Sequence, residues 1–131
     1  MEHTADAKFQ AYGETLEEAF SNAGLAMFAI ITEPEKIKPI IEHEINVEAN
    51  DNKALLYDFL EELLLLLETE FFLLHEVKEL TIEGTKLCAT VVGDKISPQY
   101  GAIEDIKAVT YAEMEIEEEP GKAMVQVVID L

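Results

Sequence analysis

The stretch Ala7–Ile31, AKFQAYGETLEEAFSNAGLAMFAII, decides how this chain begins to fold. Its opening residues alternate apolar and polar side chains, and this period of two predicts a half-buried strand that ends at Gly13. Thr15 and Glu18 then form a capping-box pattern, in which the two side chains satisfy free backbone N–H groups at a helix start. A helix is therefore predicted over residues 16–31, directly after a strand and a tight turn.

Downstream of this stretch, hydrophobic periodicity predicts a second helix and further strands. The helix runs from Lys53 to about Thr69, is capped by Asp51 or Asn52, and carries an inward stripe of leucine and phenylalanine. Strands are predicted at residues 41–48, 71–74, 77–83, 86–92, 106–117 and 123–131. In the stretch 106–117 the even-numbered residues are expected to share one face. We expect an α+β fold, a two-layer domain of two main helices packed on mostly antiparallel strands, formed by residues 1–131 as a single domain.

The chain is strongly acidic, with 28 Asp and Glu residues, 9 Lys and Arg residues and a formal net charge of −19. Proteins bind nucleic acid through lysine and arginine, which displace condensed counterions, and the sequence has no basic cluster. We therefore expect no direct contact with nucleic acid or with an anionic membrane, unless a local basic patch lies within the negative field. A role in RNA metabolism would run through a protein partner or a metal. The oligomeric state is left open.

The single cysteine, Cys88, cannot form an internal disulfide, and it falls within a predicted strand. Cysteine is often simply buried, so we expect it to be a small core residue, with a catalytic thiol as the alternative. The absence of disulfides fits a reducing compartment. Neither a secretory leader nor an apolar run long enough to cross a bilayer is found in the sequence, and we expect a cytoplasmic protein.

Acidic residues stand near both ends of the chain, in His3-Thr4-Ala5-Asp6 and in Ile129-Asp130-Leu131. If Asp6 and Asp130 meet in space, the terminal carboxylate of Leu131 comes with them. Two like charges about 4 Å apart repel by roughly 4 kcal/mol at an effective dielectric near 20, so such a cluster needs a cation or a proton. Oxygen ligands favour a hard ion, Ca²⁺ or Mg²⁺. The alternative is that Asp6 caps a turn and Asp130 merely lies in the last strand.

Two histidines and one leucine also stand out from their surroundings. His3 could hydrogen-bond Asp6 and orient it, act as a general base, or pack beneath the first strand. His43 falls on the apolar side of its strand, and we interpret it as a packed or edge histidine because no other histidine or cysteine lies at ligand spacing. Leu65 projects from the polar face of the second helix, where it is either an incidental surface residue or a candidate contact with a partner.

Four segments of the chain, taken together, resemble one known family. The run EHTADAKFQAYGETLEEAFSNAGLAMFAIIT, residues 2–32, resembles the opening signature of the archease family. LLYDFLEELLLLLETE is similar to the second helix of that family, IKAVTY to its late strand and VVIDL to its terminal Asp-aliphatic ending. The segments occur in the family's order and span nearly all of the chain, so the resemblance implies one archease-like domain.

The resemblance to archeases also implies a function. Archeases are small metal-binding accessory proteins of the RtcB-type RNA ligase, which joins the exons of split tRNA with GTP and divalent metal. Such a protein would promote guanylylation of the ligase and restore its turnover while sealing no RNA itself, so no catalytic residue is expected. The resemblance assigns the ion to Asp6, Asp130 and Leu131, the last through its terminal carboxylate or main-chain oxygen. Calcium is the first candidate, with magnesium and manganese as alternatives.

Two other functions stay open at this point. One is a small divalent-metal-dependent hydrolase, in which Asp6 and Asp130 hold a metal-bound water. The other is a chaperone-like protein-binding module that binds clients through the surface around Leu65.

Overall fold

The structure is a computed structural model that describes residues 6–131. No helix within that range is long and apolar enough to span a membrane. Short 3-10 turns occur at Pro34–Lys36 and Pro98–Tyr100. The longer elements are, in chain order, β1 (Asp6–Gly13), α1 (Leu16–Ile31), β2 (Ile41–Glu48), α2 (Asn52–Glu70), β3 (Phe72–Glu83), β4 (Lys86–Lys95), β5 (Ala108–Glu119) and β6 (Lys122–Asp130).

These strands form two three-stranded antiparallel sheets. In the first sheet β6 lies between β1 and β5, and in the second β4 lies between β2 and β3. Each helix contacts strands of both sheets: α1 packs on β1, β6 and β3, whereas α2 packs on β5 and on all three strands of the second sheet. The helices thereby join the two sheets around one apolar core, and the predicted α+β class is confirmed.

Both helices begin where their capping residues predict. Thr15 Oγ1 accepts a hydrogen bond from Glu18 N at 3.1 Å, and Asp51 Oδ1 accepts one from Ala54 N at 2.8 Å. Each bond satisfies a backbone N–H that has no partner within the first turn of its helix. The inward stripe predicted for α2 is also confirmed, since all of its members are buried: Leu55, Leu56, Phe59, Leu60, Leu63, Leu64 and Leu67.

The continuous alternation predicted for residues 106–117 is wrong in its first half. Four residues of β5, Tyr111–Met114, lie opposite the single residue Val127 of β6, and we call this segment the β5 bulge. Before the bulge Val109 is buried, and within it Ala112 is exposed, which is the reverse of the predicted pattern. Extra residues in one strand break the period of two, and the alternation resumes only after the bulge.

A similar irregularity joins two predicted strands into one. Residues 72–74 and 77–83 belong to the single strand β3, which stays paired with β4 through register shifts after Leu74 and Val77, whereas Phe71 is the C-cap residue of α2. Bulges of this kind interrupt the hydrophobic pattern without ending the strand.

The structure also tests the predicted burial of Cys88 and the predicted packing of His43. Cys88 is exposed, so its predicted burial is wrong. Its neighbours Leu87 and Ala89 face the core, and successive side chains of a strand point to opposite faces. The ring of His43 packs edge to face against Phe72, with the ring centroids 4.9 Å apart, which confirms the prediction of a packed histidine.

Candidate metal centre

Asp6 and Asp130 lie directly opposite each other in the first sheet. Asp6 begins β1 and Asp130 ends β6, and these strands pair antiparallel in an unbroken register from this pair to Gly13 opposite Ala123. Directly opposed side chains of an antiparallel pair project from the same face, with their Cβ atoms about 5 Å apart. The fold therefore brings together the two carboxyl groups that the sequence placed at opposite ends of the chain.

The proximity of the two carboxyl groups changes the acidity of Asp6. A hydrogen bond with the carboxyl group of Asp130 raises the pKa of Asp6, and reduced solvation and the negative charge of Asp130 raise it further. A neighbouring like charge disfavours the ionised form of a carboxyl group, so this pair retains a proton more readily than an isolated aspartate does. A bound cation would take the place of that proton.

Asp130 is fixed from its other side by the start of β5. Its main-chain oxygen accepts a hydrogen bond from Lys107 N at 2.8 Å, and Asp130 is paired with Ala108. The side chain of Leu131 packs against the apolar core. Because β6 is the central strand, Asp130 is held between β5 and Asp6 of β1.

These groups offer only oxygen atoms: the two carboxyl groups, together with the oxygens of Leu131. Hard cations such as Ca²⁺ and Mg²⁺ prefer oxygen donors and complete their coordination with water, so the donor set fits such an ion. Within residues 6–131 no group of three or more His, Cys, Asp or Glu side chains is arranged to hold a metal. The site consequently needs donors beyond its two aspartates. His3 lies outside the described residues, and its proposed contact with Asp6 stays a prediction.

Leu65 lies on α2, away from the core. Its side chain is 50% exposed, as the sequence predicts. It borders a groove of about 410 Å³ between α2 and β2, to which Ile45 and Leu66 also contribute. A contact between Leu65 and a partner protein stays a prediction.

The comparison with known proteins covers the entire chain. Residues 1–131 match the sequence model of the archease protein family (MTH1598/TM1083). The chain belongs to the archease family. Archeases from Methanothermobacter thermautotrophicus and Methanosarcina mazei are 40% and 43% identical to it, over 98% and 100% of this chain and 94% and 93% of their own lengths. The family resemblance of the four sequence segments is thus confirmed.

Solved structures of archease relatives share the fold. The solution structure of Methanobacterium thermoautotrophicum protein 1598 superposes with a TM-score of 0.82 at 36% identity, covering 100% of this chain and 96% of that one. The crystal structure of a Thermotoga maritima archease, described as a possible chaperone, superposes with a TM-score of 0.67 at 22% identity, covering 100% of this chain and 94% of that one. The second likeness shows the archease fold alone.

One contact of the candidate site was not predicted from the sequence. Lys107, the residue before β5, donates its backbone N–H to the main-chain oxygen of Asp130. Because every residue except proline has this donor, the residue type gives no sign of the contact. Only the pairing of β5 with β6 reveals it.

Proposed function

We propose that this member of the archease family is a metal-binding accessory protein that activates an RtcB-type RNA ligase in tRNA splicing. It would promote guanylylation of the ligase by GTP and restore its turnover, without sealing RNA itself. Membership of the archease family supports this role. The observation that carries it is the direct pairing of Asp6 with Asp130, because a carboxylate pair at the edge of a domain provides an incomplete site for a cation.

The proposed ligands are Asp6, Asp130 and Leu131, the last through a main-chain or terminal oxygen. Calcium is the first candidate, and magnesium and manganese are alternatives, since all the proposed donors are oxygen atoms. When bound, the ion would supply positive charge that stabilises anionic phosphate oxygens. Asp6 is exposed in the chain alone, so groups of a partner could approach the pair from solvent.

The charge of the chain favours a protein partner over direct contact with RNA. With a net charge of −19, the protein repels a phosphate backbone over most of its surface. An effect on RNA joining would therefore pass through the ligase.

The test measures covalent ligase–GMP after the ligase is mixed with GTP, divalent metal and a substoichiometric amount of this protein. The intact chain should increase the yield, because each molecule serves several ligase molecules in turn. Asp6→Asn and Asp130→Asn should abolish the increase, whereas Glu35→Gln, an equal charge change at an exposed residue of a 3-10 turn, should preserve it. Full stimulation by both aspartate variants would reject a role for the pair. Phosphate or nucleoside release without the ligase would instead support the hydrolase.

The exposure of Leu65 favours a second function, a chaperone-like binding module. Its side chain borders the groove between α2 and β2, and the Thermotoga maritima relative is described as a possible chaperone. In an assay of client aggregation, Leu65→Asp should remove any protection given by the intact chain. Equal protection by both proteins would contradict this function.

A further inference from the structure

Two tyrosines of different elements stack at the protein surface. The rings of Tyr57 in α2 and Tyr111 in β5 lie 4.3 Å apart between centroids, with their planes 6° from parallel, and we call them the tyrosine stack. Tyr111 stays 53% exposed. An exposed tyrosine held in one position can bury a large, partly polar area in an interface with little loss of side-chain freedom.

The position of Tyr111 depends on the β5 bulge, which begins at this residue. Within the bulge Glu113 has a φ of 52°, a left-handed conformation that non-glycine residues adopt only where their surroundings impose it. Two contacts do so. Gln126 Nε2 donates to the main-chain oxygen of Glu113 at 2.8 Å, and Lys8 Nζ pairs with Glu113 Oε1 at 3.2 Å. Bulges commonly re-aim a side chain next to a functional site, and here the bulge sets Tyr111 against Tyr57.

Carboxylates surround the tyrosine stack. Partial burial raises the pKa of both phenols, and nearby negative charge raises it further: Glu61 and Asp58 act on Tyr57, and Asp58 and Asp51 act on Tyr111. The ion pairs found among residues 6–131 involve none of these three acids. Asp51 Oδ1 already caps α2, whereas Asp58 and Glu61 can accept hydrogen bonds from a cation outside the chain.

Two grooves extend along α2 from the tyrosine stack. One, of about 300 Å³, separates α2 from β2, and the other, of about 360 Å³, separates α2 from the start of β5. Tyr57, Glu61 and Glu62 border both grooves. Val47 adds apolar surface to the first, and Leu64 to the second. The surface thus combines an aromatic centre, apolar walls and rims that are acidic except for Lys107 in the second groove.

We propose that the tyrosine stack and its two grooves form a docking surface for an arginine-bearing segment of a partner protein. A guanidinium group is planar, stacks on an aromatic ring and donates hydrogen bonds to carboxylates at its edge. The ring of Tyr111 and the adjacent Asp58 offer both contacts together. Lysine matches the charge alone, because its ammonium group is compact and strongly hydrated. The surface would serve such a segment whether or not the protein activates a ligase.

The test titrates the full chain with the capped peptide acetyl-Gly-Arg-Gly-Arg-Gly-amide and with its lysine counterpart, followed by backbone-amide NMR at about 0.15 M ionic strength. The arginine peptide should shift amides of α2 and the β5 bulge, and it should bind about fivefold more tightly than the lysine peptide. Tyr111→Ala should weaken arginine-peptide binding about fivefold. Tyr12→Ala, which removes a comparably exposed tyrosine of β1, should leave binding unchanged.

Equal affinity for the two peptides would overturn the proposal, because it would show that the negative charge attracts any cation. Equal binding by the intact chain and Tyr111→Ala, or no saturable shift on α2 and the bulge, would also overturn it. Asp58→Asn keeps the stack and removes one carboxylate beside both rings, so it offers a second variant should Tyr111→Ala disturb the bulge. It should lower the affinity for the arginine peptide, and an unchanged affinity would contradict the proposal.

Discussion

Asp6 at the start of β1 faces Asp130 at the end of β6, so two carboxyl groups from distant parts of the sequence interact across one strand pair. Hydrogen bonding to Asp130, reduced solvation and like-charge repulsion all raise the pKa of Asp6 above its ordinary value of 3.8. The folded, metal-free chain therefore holds the proton of Asp6 more tightly than the unfolded chain does. The stability that this proton contributes is fully present below pH 3.8 and is lost as pH rises through the folded-state pKa.

Asp6→Asn should remove this pH dependence. In the presence of a chelator, the melting temperature of the intact protein should fall relative to that of Asp6→Asn as pH rises above 3.8, because the variant has no second charge to place beside Asp130. Thermal unfolding monitored by circular dichroism across a pH series measures the difference. Parallel curves for the two proteins would contradict the interaction, and Glu35→Gln provides the control for a change in net charge.

Bound calcium should offset the electrostatic repulsion between the carboxylates of Asp6 and Asp130 and so stabilise the folded protein. A ligand that binds only the folded state adds about 2.7 kcal/mol to the free energy of unfolding at a hundredfold excess over Kd. The melting temperature of the intact protein should therefore rise with calcium, and the rise should be lost in Asp6→Asn and Asp130→Asn. Titrations with manganese and magnesium compare how strongly each ion raises the melting temperature. A melting temperature that is unchanged by all three ions and by a chelator would argue against a metal site.

The parts of the fold that were predictable have local signals. The capping pattern of Thr15 and Glu18 predicts the start of α1 from four consecutive residues, and the spacing of apolar residues in α2 predicts its buried stripe. The division into two sheets and the β5 bulge depend on which strands pair, which a local pattern does not encode. Cys88 illustrates this limit, because its residue type favours burial while the register of β4 turns it outward.

The surface features were likewise predictable only in part from the sequence. Asp6 and Asp130 were noted from their positions near the two ends of the sequence and assigned to an ion by the family resemblance, and the pairing of β1 with β6 explains how they meet. The tyrosine stack joins residues of α2 and β5 that lie far apart in the sequence. Its formation requires the bulge at Tyr111–Met114, which the apparently regular alternation of that stretch conceals.

Gly93 of β4 should not tolerate a side chain. A Cβ atom at this position would lie 1.8 Å from the main-chain oxygen of Leu73 in β3, so Gly93→Ala must push the two strands apart. We expect a loss of about 3 kcal/mol or more in the free energy of unfolding, measured by urea denaturation. Gly84→Ala is the comparison, because Gly84 has a φ of 62° but open space around it, and left-handed backbone alone costs about 1–2 kcal/mol. A smaller loss for Gly93→Ala than for Gly84→Ala would contradict the steric argument.

Gln126 should hold the β5 bulge in place. It is 6% exposed, and its Nε2 donates to the main-chain oxygen of Glu113 at 2.8 Å while its Oε1 accepts from Gln10 Nε2 at 2.8 Å. Gln126→Met keeps the shape but removes these bonds, and because Gln10 and Glu113 are exposed and can bond to water instead, the loss is about 0.5–1.5 kcal/mol for each bond. We expect that loss of stability together with a reduction of the ring-current shifts that Tyr57 and Tyr111 impose on each other.

Gln10→Met provides the matched control, because it removes the amide that donates to Gln126 Oε1 while leaving the bond from Gln126 Nε2 to Glu113 in place. It should lower stability, because the buried Gln126 Oε1 loses its donor, but it should preserve the aromatic NMR shifts of the tyrosine stack. If Gln126→Met also preserved those shifts, the bulge would be maintained by the Lys8–Glu113 ion pair and by packing of the neighbouring Met114, which is buried. Loss of the shifts in Gln126→Met alone would instead establish that one buried amide couples the centre of the first sheet to the stacked rings of Tyr57 in α2 and Tyr111 in β5.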